Sequence, residues 1–279
     1  MATLTTSTDR TATSTNLISF LPDGSKRTML EVIPLLARYG YRRLDLNFCE
    51  MMNPSSRIDG HYIARLKELR EAHGLDYVQS HVPYPRDHLA LDEDGRERFD
   101  SLIARAITYS VELGIPAIVI HPIKASVEEN VAYLSRFLPL LEGSASILAV
   151  ENMEGADEIS TADELCAIVD ALPQGHIGVC LDTGHAHMRG LDLREQIGKL
   201  SHRLVATHIA DNHGTSDEHN LPFFGTIDWT EVMKALDAVG YKGWLTYECM
   251  FFTRHLPREL EADVVALSLK IGSYLSHLS

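Results

Sequence analysis

Six side chains able to hold a divalent cation, His81, His121, Glu151, Asp182, His208 and Glu248, each close a short apolar run. Any one of them alone reads as a residue that bonds a nearby loop. All six at the same place in successive runs point to one shared site, because an unpaired charge there would be costly to bury. A divalent cation is the simplest partner for several converging carboxylates. Carboxylate and imidazole donors with no suitably placed thiolate suit Mn²⁺, Co²⁺, Mg²⁺ or Zn²⁺. The same chemistry continues in GVCLDTGHAH and VATHIADNHGTSDEH, where His185 stands three residues past Asp182 and Asp217 and His219 form an Asp-x-His pair. His81, His121, His185, Asp217 and His219 are candidates for substrate binding or for additional metal. His187, His202 and His213 read as surface or loop histidines.

The elements that must position these groups are legible as alternation. Short apolar or β-branched runs predict strands near Asn16–Phe20, Arg43–Asn47, Tyr77–His81, Ala117–His121, Ile147–Glu151, Gly178–Asp182, Leu204–His208 and Trp244–Glu248. Amphipathic stretches between them predict helices such as Lys26–Tyr39, His61–His73, Arg96–Leu113 and Val127–Leu141. Gly40, Gly74, Gly114 and Gly240 follow helical patterns and precede strands, as C-terminal caps do. Eight such units in 279 residues predict a single-domain α/β fold, a (β/α)₈ barrel over residues 16–279, after a flexible Thr/Ser-rich tail over residues 1–15. Parallel strands put their carboxyl ends on one rim, so the six residues would converge there. The longest polar stretches, Asp87–Arg98 and Asn212–Gly225, fall just after strands, where a barrel carries its site loops.

Composition narrows the chemistry by exclusion. The formal charge of −14 argues against a nucleic-acid partner, which needs clustered Lys and Arg. No apolar run approaches the ~20 residues of a membrane span. Cys49, Cys166, Cys180 and Cys249 are scattered with no CxxC pair and no secretory leader before them, which predicts a cytoplasmic setting without disulfides. No GxGxxG or GxxxxGK[ST] follows a strand, so no nucleotide cofactor is expected. G-x-S-x-G is also absent, and Asp182-Thr183-Gly184 lacks the second such tripeptide that an aspartic protease needs.

LAVENMEG, GVCLDTGHAHMRG, HIADNHGTSDEHNLPFFGTIDW and WLTYECM resemble the sugar isomerase and epimerase superfamily of xylose isomerase-like TIM barrels. That superfamily also contains the endonuclease IV type of apurinic endonuclease, and the likeness runs from about Asn16 to the C-terminal helix. It implies one metal held by Glu151, Asp182, His208 and Glu248. It also implies an isomerase or epimerase of sugar-like polyols, in which Glu151 and Glu248 act as acid and base on the carbon beside a carbonyl through a metal-stabilised enediolate. A lyase or dehydratase acting on a keto-sugar, cyclitol or glycoside is the alternative, since elimination begins with the same proton abstraction. The endonuclease branch implies three zinc ions, and this chain has its additional ligand types in His81, His121, His185, Asp217 and His219. Against that branch, the first loop reads NLISFLPDGS rather than Gly- and His-rich, and no basic track is evident. Two departures from the sugar-acting pattern concern specificity. Pro222-Phe223-Phe224-Gly225 replaces a PG-x-G loop, which suits a bulkier pocket wall; of Phe223, Phe224, Phe251 and Phe252, at least half are expected in core packing and the others in that wall. Gly214 stands where ketose epimerases often carry Arg. Arg86 and His88 are candidate substrate contacts. The expected partner is a small sugar-like molecule, and a homo-oligomer is compatible with all of this.

Overall fold

The computed structural model describes residues 9–85 and 87–278. Seven strands form within one residue of the predicted bounds: β2 Arg43–Asn47, β3 Asp76–His81, β4 Ala117–Ile120, β5 Ile147–Glu151, β6 Ile177–Asp182, β7 Leu204–His208 and β8 Leu245–Tyr247. The first differs. β1 is Thr11–Ser14, inside the segment expected as tail, and the predicted strand Asn16–Phe20 begins instead within a 3₁₀ turn, Thr15–Ile18. The apolar run NLISFL misleads because Leu17 and Ile18 bury themselves in that turn, whereas β1 is a run of small residues with no bulky apolar side chain. Residues 1–8 of the expected tail lie outside the described residues.

All neighbouring strands pair in parallel, in the order β7-β6-β5-β4-β3-β2-β1-β8. A single parallel bridge, Ile209 to Tyr247, closes β8 onto β7 and completes the (β/α)₈ barrel. The connecting helices are α1 Met29–Tyr39, α2 Gly60–His73, α3 Glu93–Glu112, α4 Val127–Ser135, α5 Ala162–Ala171, α6 Thr183–Met188, α7 Leu193–Leu200, α8 Trp229–Ala238 and α9 Glu261–Leu275. Local chemistry sets their ends. Ser126 with Glu129 and Thr161 with Glu164 form reciprocal caps at the starts of α4 and α5. Gly74 ends α2 in the left-handed region at φ 59°, and Gly40, Gly114 and Gly240 likewise have positive φ. The helix predicted over Val127–Leu141 stops at Ser135 and resumes as a 3₁₀ turn containing Pro139, which lacks an amide proton and disfavours a helical residue before it.

α1 shows how the helices hold on. Met29, Val32, Ile33, Leu36 and Ala37 recur at helical spacing and are all buried against the barrel. Full burial of a Leu or Ile contributes about 1.5–3 kcal/mol, so Leu36→Ala should cost roughly 2–5 kcal/mol once its cavity is counted. Inside the barrel the filling is uneven. Ala117, Val119, Ala149, Cys180 and Ala206 form a small apolar cluster on the β4–β7 side. Asp45, Gln79 and Thr246, from β2, β3 and β8, are buried polar residues on the other. Among the described residues no helix is long and apolar enough to cross a membrane.

Candidate active site at the carboxyl rim

The six predicted residues do converge. His81, Glu151, Asp182 and His208 are the last residues of their strands, while His121 and Glu248 follow β4 and β8 directly. Glu151 is the hub: Oε1 lies 2.6 Å from His208 Nδ1, and Oε2 lies 3.0 Å from His121 Nε2 and 3.3 Å from His81 Nε2. Glu248 Oε2 approaches the same His208 Nδ1 at 3.3 Å from the β8 side. One donor atom from each of Glu151, Asp182, His208 and Glu248 falls within 4.8 Å of all the others, and all four residues are buried.

A backbone irregularity sets part of this register. The β6–β7 ladder shifts at Val179/Cys180, so that Asp182 pairs with His208. The shift requires Gly178, because a Cβ there would run into both methyl groups of Val205. Asp182 then serves two purposes. Its Oδ1 accepts the amide proton of His185 at 2.7 Å and caps α6, whereas its Oδ2 is buried with no partner.

His185, Asp217 and His219 form a second group of donors within 4.8 Å of one another. His219 Nε2 is 2.6 Å from Asp217 Oδ2, and His185 Nε2 is 3.7 Å from the same oxygen. Their Nδ1 atoms donate to backbone carbonyls, His185 to Asn152 at 2.8 Å and His219 to Glu248 at 2.7 Å, which leaves Nε2 facing the site.

The electrostatics are those of opposite charges packed together out of water. Burial disfavours an imidazolium at His208, yet the Glu151 and Glu248 carboxylates override it and raise the group to about 10. Burial pushes Asp182 up to about 6, with Glu151 and Glu248 adding to the rise. Burial opposes ionisation of Glu151 as well, but His208, His121 and His81 hold it well below the usual carboxylate range. His121 is lowered, chiefly by burial. His219 rises to about 9 because Asp217 outweighs its burial. Buried oxygen and imidazole donors, no thiolate among them, and an orphaned Asp182 oxygen together fit a hard divalent cation.

Residues 33–265 match the family model described as xylose isomerase-like TIM barrel. The chain belongs to that family. A D-tagatose 3-epimerase-like protein of known crystal structure superposes on this xylose isomerase-like barrel with a TM-score of 0.73 at 21% identity, covering 95% of this chain and 98% of that one. In sequence, the uncharacterised protein y4fM of Sinorhizobium fredii is 28% identical over 159 residues, 53% of this chain and 51% of that protein. A probable endonuclease 4 of Methanoculleus marisnigri is 31% identical over 137 residues, 46% of this chain and 49% of that one. The chain thus spans about half the length of these two relatives.

Other expectations for the rim fare differently. His88 lies 3.0 Å from Asp100 through Nε2 and lines a cavity of about 110 Å³ beside the donor groups, whereas Arg86 lies outside the described residues. Phe223 and Phe224 do not wall the site: they are 50% and 44% exposed, facing Tyr274 and Phe252. The cause is Asp211, which accepts from the Phe223 and Ile227 amides and from Trp229 Nε1, fixing the loop with Phe223 at φ 73°. Phe251 does reach the site, edge-on to His219 at 5.3 Å. His187 bonds Thr226, and His202 and His213 are exposed, as expected. Sequence reasoning passed over Tyr84, which stacks on His121 at 4.0 Å, and Glu154, whose Oε2 is 3.6 Å from His185 Nε2. It also passed over Asn152, which holds both the amide and the carbonyl of Asp182. Adjacency to Glu151 in VENMEG was the available signal for Asn152 and Glu154.

Proposed function

We propose that this protein is a divalent-metal-dependent isomerase or epimerase of a sugar or sugar-like polyol, with the cation held by Glu151, Asp182, His208 and Glu248. The observation that carries the reading is the pair Glu151 and Glu248, which approach one imidazole nitrogen from two strands while Asp182 offers a free oxygen. When bound, the cation supplies Lewis-acid polarisation of substrate oxygens and offsets the negative charge that develops there. The chain's own groups do the rest. One of Glu151 and Glu248 removes the proton from carbon next to the carbonyl, and the other returns a proton, each oriented by the imidazole between them. His185 hydrogen-bonds a substrate oxygen through Nε2, its ring locked by the Asn152 carbonyl. Tyr84, Met153 and Met250 line the opening over these groups and limit water beside the reacting carbon.

The cavity beneath His88 shares Tyr84, His121, Met153 and Glu154 with this opening, so a substituent on the sugar has a place to extend. That leaves room for the alternative outcome, elimination from a keto-sugar, cyclitol or glycoside. The deciding experiment offers those substrate classes with Mn²⁺, Co²⁺, Mg²⁺ and Zn²⁺ and follows isomer and elimination product separately. Wild-type turnover by Glu248→Gln on the substrate so found would end the acid/base assignment. The second donor group and the identity to a probable endonuclease 4 support one further reading, a trinuclear zinc phosphodiesterase. Three tightly bound zinc ions together with cleavage of an abasic-site duplex would favour it, whereas one exchangeable ion per chain favours sugar chemistry. A cytoplasmic location belongs to the same proposal, supported by Cys49, Cys166, Cys180 and Cys249 all being free.

A further inference from the structure

His208 presents Nδ1 to Glu151 and Glu248, but its other nitrogen, Nε2, is buried with no hydrogen-bond partner. Both carboxylate oxygens of Asp45 and the amide nitrogen of Gln79 are orphaned in the same way. Asp45, Gln79 and His208 are 0%, 2% and 0% exposed, so bulk water does not reach them.

Topology places these residues at adjoining levels of the barrel interior. Strand side chains alternate between faces, so Gln79, two residues before His81, and Thr246, two before Glu248, lie one level below the rim and on the same side of the sheet. Thr246 Oγ1 donates to Gln79 Oε1 at 3.3 Å, which confirms that level across the barrel. The β2–β3 ladder shifts at Leu44/Asp45, and the shift brings Asp45 into register with Gln79. Ala149, Cys180 and Ala206 occupy the same level below Glu151, Asp182 and His208 and are small. The electrostatics agree: burial raises the Asp45 carboxyl, and His208 and His81 are the groups that most oppose the rise. Ser14, the register partner of Asp45 on β1, adds a hydroxyl at the same place.

Buried polar groups in folded proteins are satisfied by protein or by ordered water, and a ligating histidine normally donates its free N–H to a carboxylate, carbonyl or water. We propose that Asp45 is the positioning residue for His208: with Gln79 and enclosed water, it accepts a hydrogen bond from Nε2–H and so makes Nδ1 the nitrogen that gives up its proton when a cation binds. This rests on the reading of those residues as a cation site. Its physical content is a choice of tautomer. Two carboxylates beside Nδ1 would otherwise favour a proton there, on the nitrogen that the cation needs.

The test uses the full chain labelled with ¹⁵N-histidine and loaded with Zn²⁺, which is diamagnetic. In wild type, long-range ¹H–¹⁵N spectra should show His208 protonated at Nε2, and calorimetry gives the reference zinc affinity. Asp45→Asn keeps size and one acceptor oxygen but removes the charge and turns the other oxygen into a donor, and should weaken zinc by about 10–100-fold while broadening or shifting the Nε2 proton signal. Asp45→Leu should weaken it at least as much, and if that variant does not fold, Asp45→Asn decides. Zinc affinity within twofold of wild type and an unchanged His208 spectrum in Asp45→Asn would overturn the assignment. If the cation-site reading itself is wrong, zinc binds Glu151→Gln as tightly as wild type. That result removes both proposals, whereas the previous one removes only the role of Asp45.

Discussion

The two donor groups at the rim are held in different ways. Glu151, Asp182 and His208 are strand residues whose spacing follows from sheet register, and their side chains are sealed from solvent. Asp217 and His219 sit on the loop between β7 and α8, with the Asp217 side chain 24% exposed and His219 at φ 49°. The outer histidines take their positions from the inner group: His185 is anchored by the carbonyl of Asn152, next to Glu151, and His219 by the carbonyl of Glu248. Dependence therefore runs one way. Damage to the strand ends propagates outward, while damage to the loop should leave the strand ends in place.

The sharpest attempt to break this asymmetry is Glu151→Gln. It removes one carboxylate from contact with His208, His121 and His81 at once, and kcat/KM on the identified substrate should fall by roughly 10³-fold with a parallel loss of cation affinity by calorimetry. Retention of both would dissolve the inner group as a functional unit. Next in size is Asp211→Ala, which deletes the anchor of the outer loop. Chemical denaturation should show a loss of about 3 kcal/mol, and KM should rise, while cation affinity at the strand ends stays within about threefold of wild type if the two groups are as separable as their anchoring implies. Acidity gives a third handle. With His208 raised to about 10, its proton is still bound at neutral pH and must leave when a cation enters. Affinity should therefore climb about tenfold per pH unit, or about 100-fold from pH 7 to 9, and flatten above about 10. Below about 6 the slope should steepen as Asp182 also becomes protonated. Asp217→Asn should preserve this slope, and a pH-independent affinity would argue that the cation does not displace a proton from His208. The smallest effect belongs to Phe223→Ser, an exposed position outside both groups, for which stability should shift by no more than about 0.5 kcal/mol and turnover should not change.

Which parts were legible in the sequence follows from the same division. Strand ends could be read because each is a polar residue closing an apolar run, a pattern that period and burial impose directly. β1 escaped because Thr11, Thr13 and Ser14 are buried without being apolar: α9 packs so close that a Cβ on Gly272 would strike Thr11. The small polar residues that this approach requires look like a solvated tail. Asp217 and His219 were visible as a motif, but Phe223 and Phe224 were expected in a pocket wall or the core and are in neither, being half exposed. Their direction is set by Asp211, whose bonds reach as far as Trp229. Tyr84 on His121 is a contact between two loops, with no periodicity to announce it.

The barrel's closure has a mechanical consequence. β5 and β6 are paired over a continuous ladder, but β7 and β8 meet only at the Ile209–Tyr247 bridge, supported by the Thr207 hydroxyl on the Trp244 carbonyl at 2.9 Å. This thin seam runs between the strands that bring His208 and Glu248. An ion shared by those two residues would rivet the sheet where its own hydrogen bonding is sparsest. Amide exchange along Leu204–Ile209 and Leu245–Glu248 should then slow on loading more than anywhere else in the sheet.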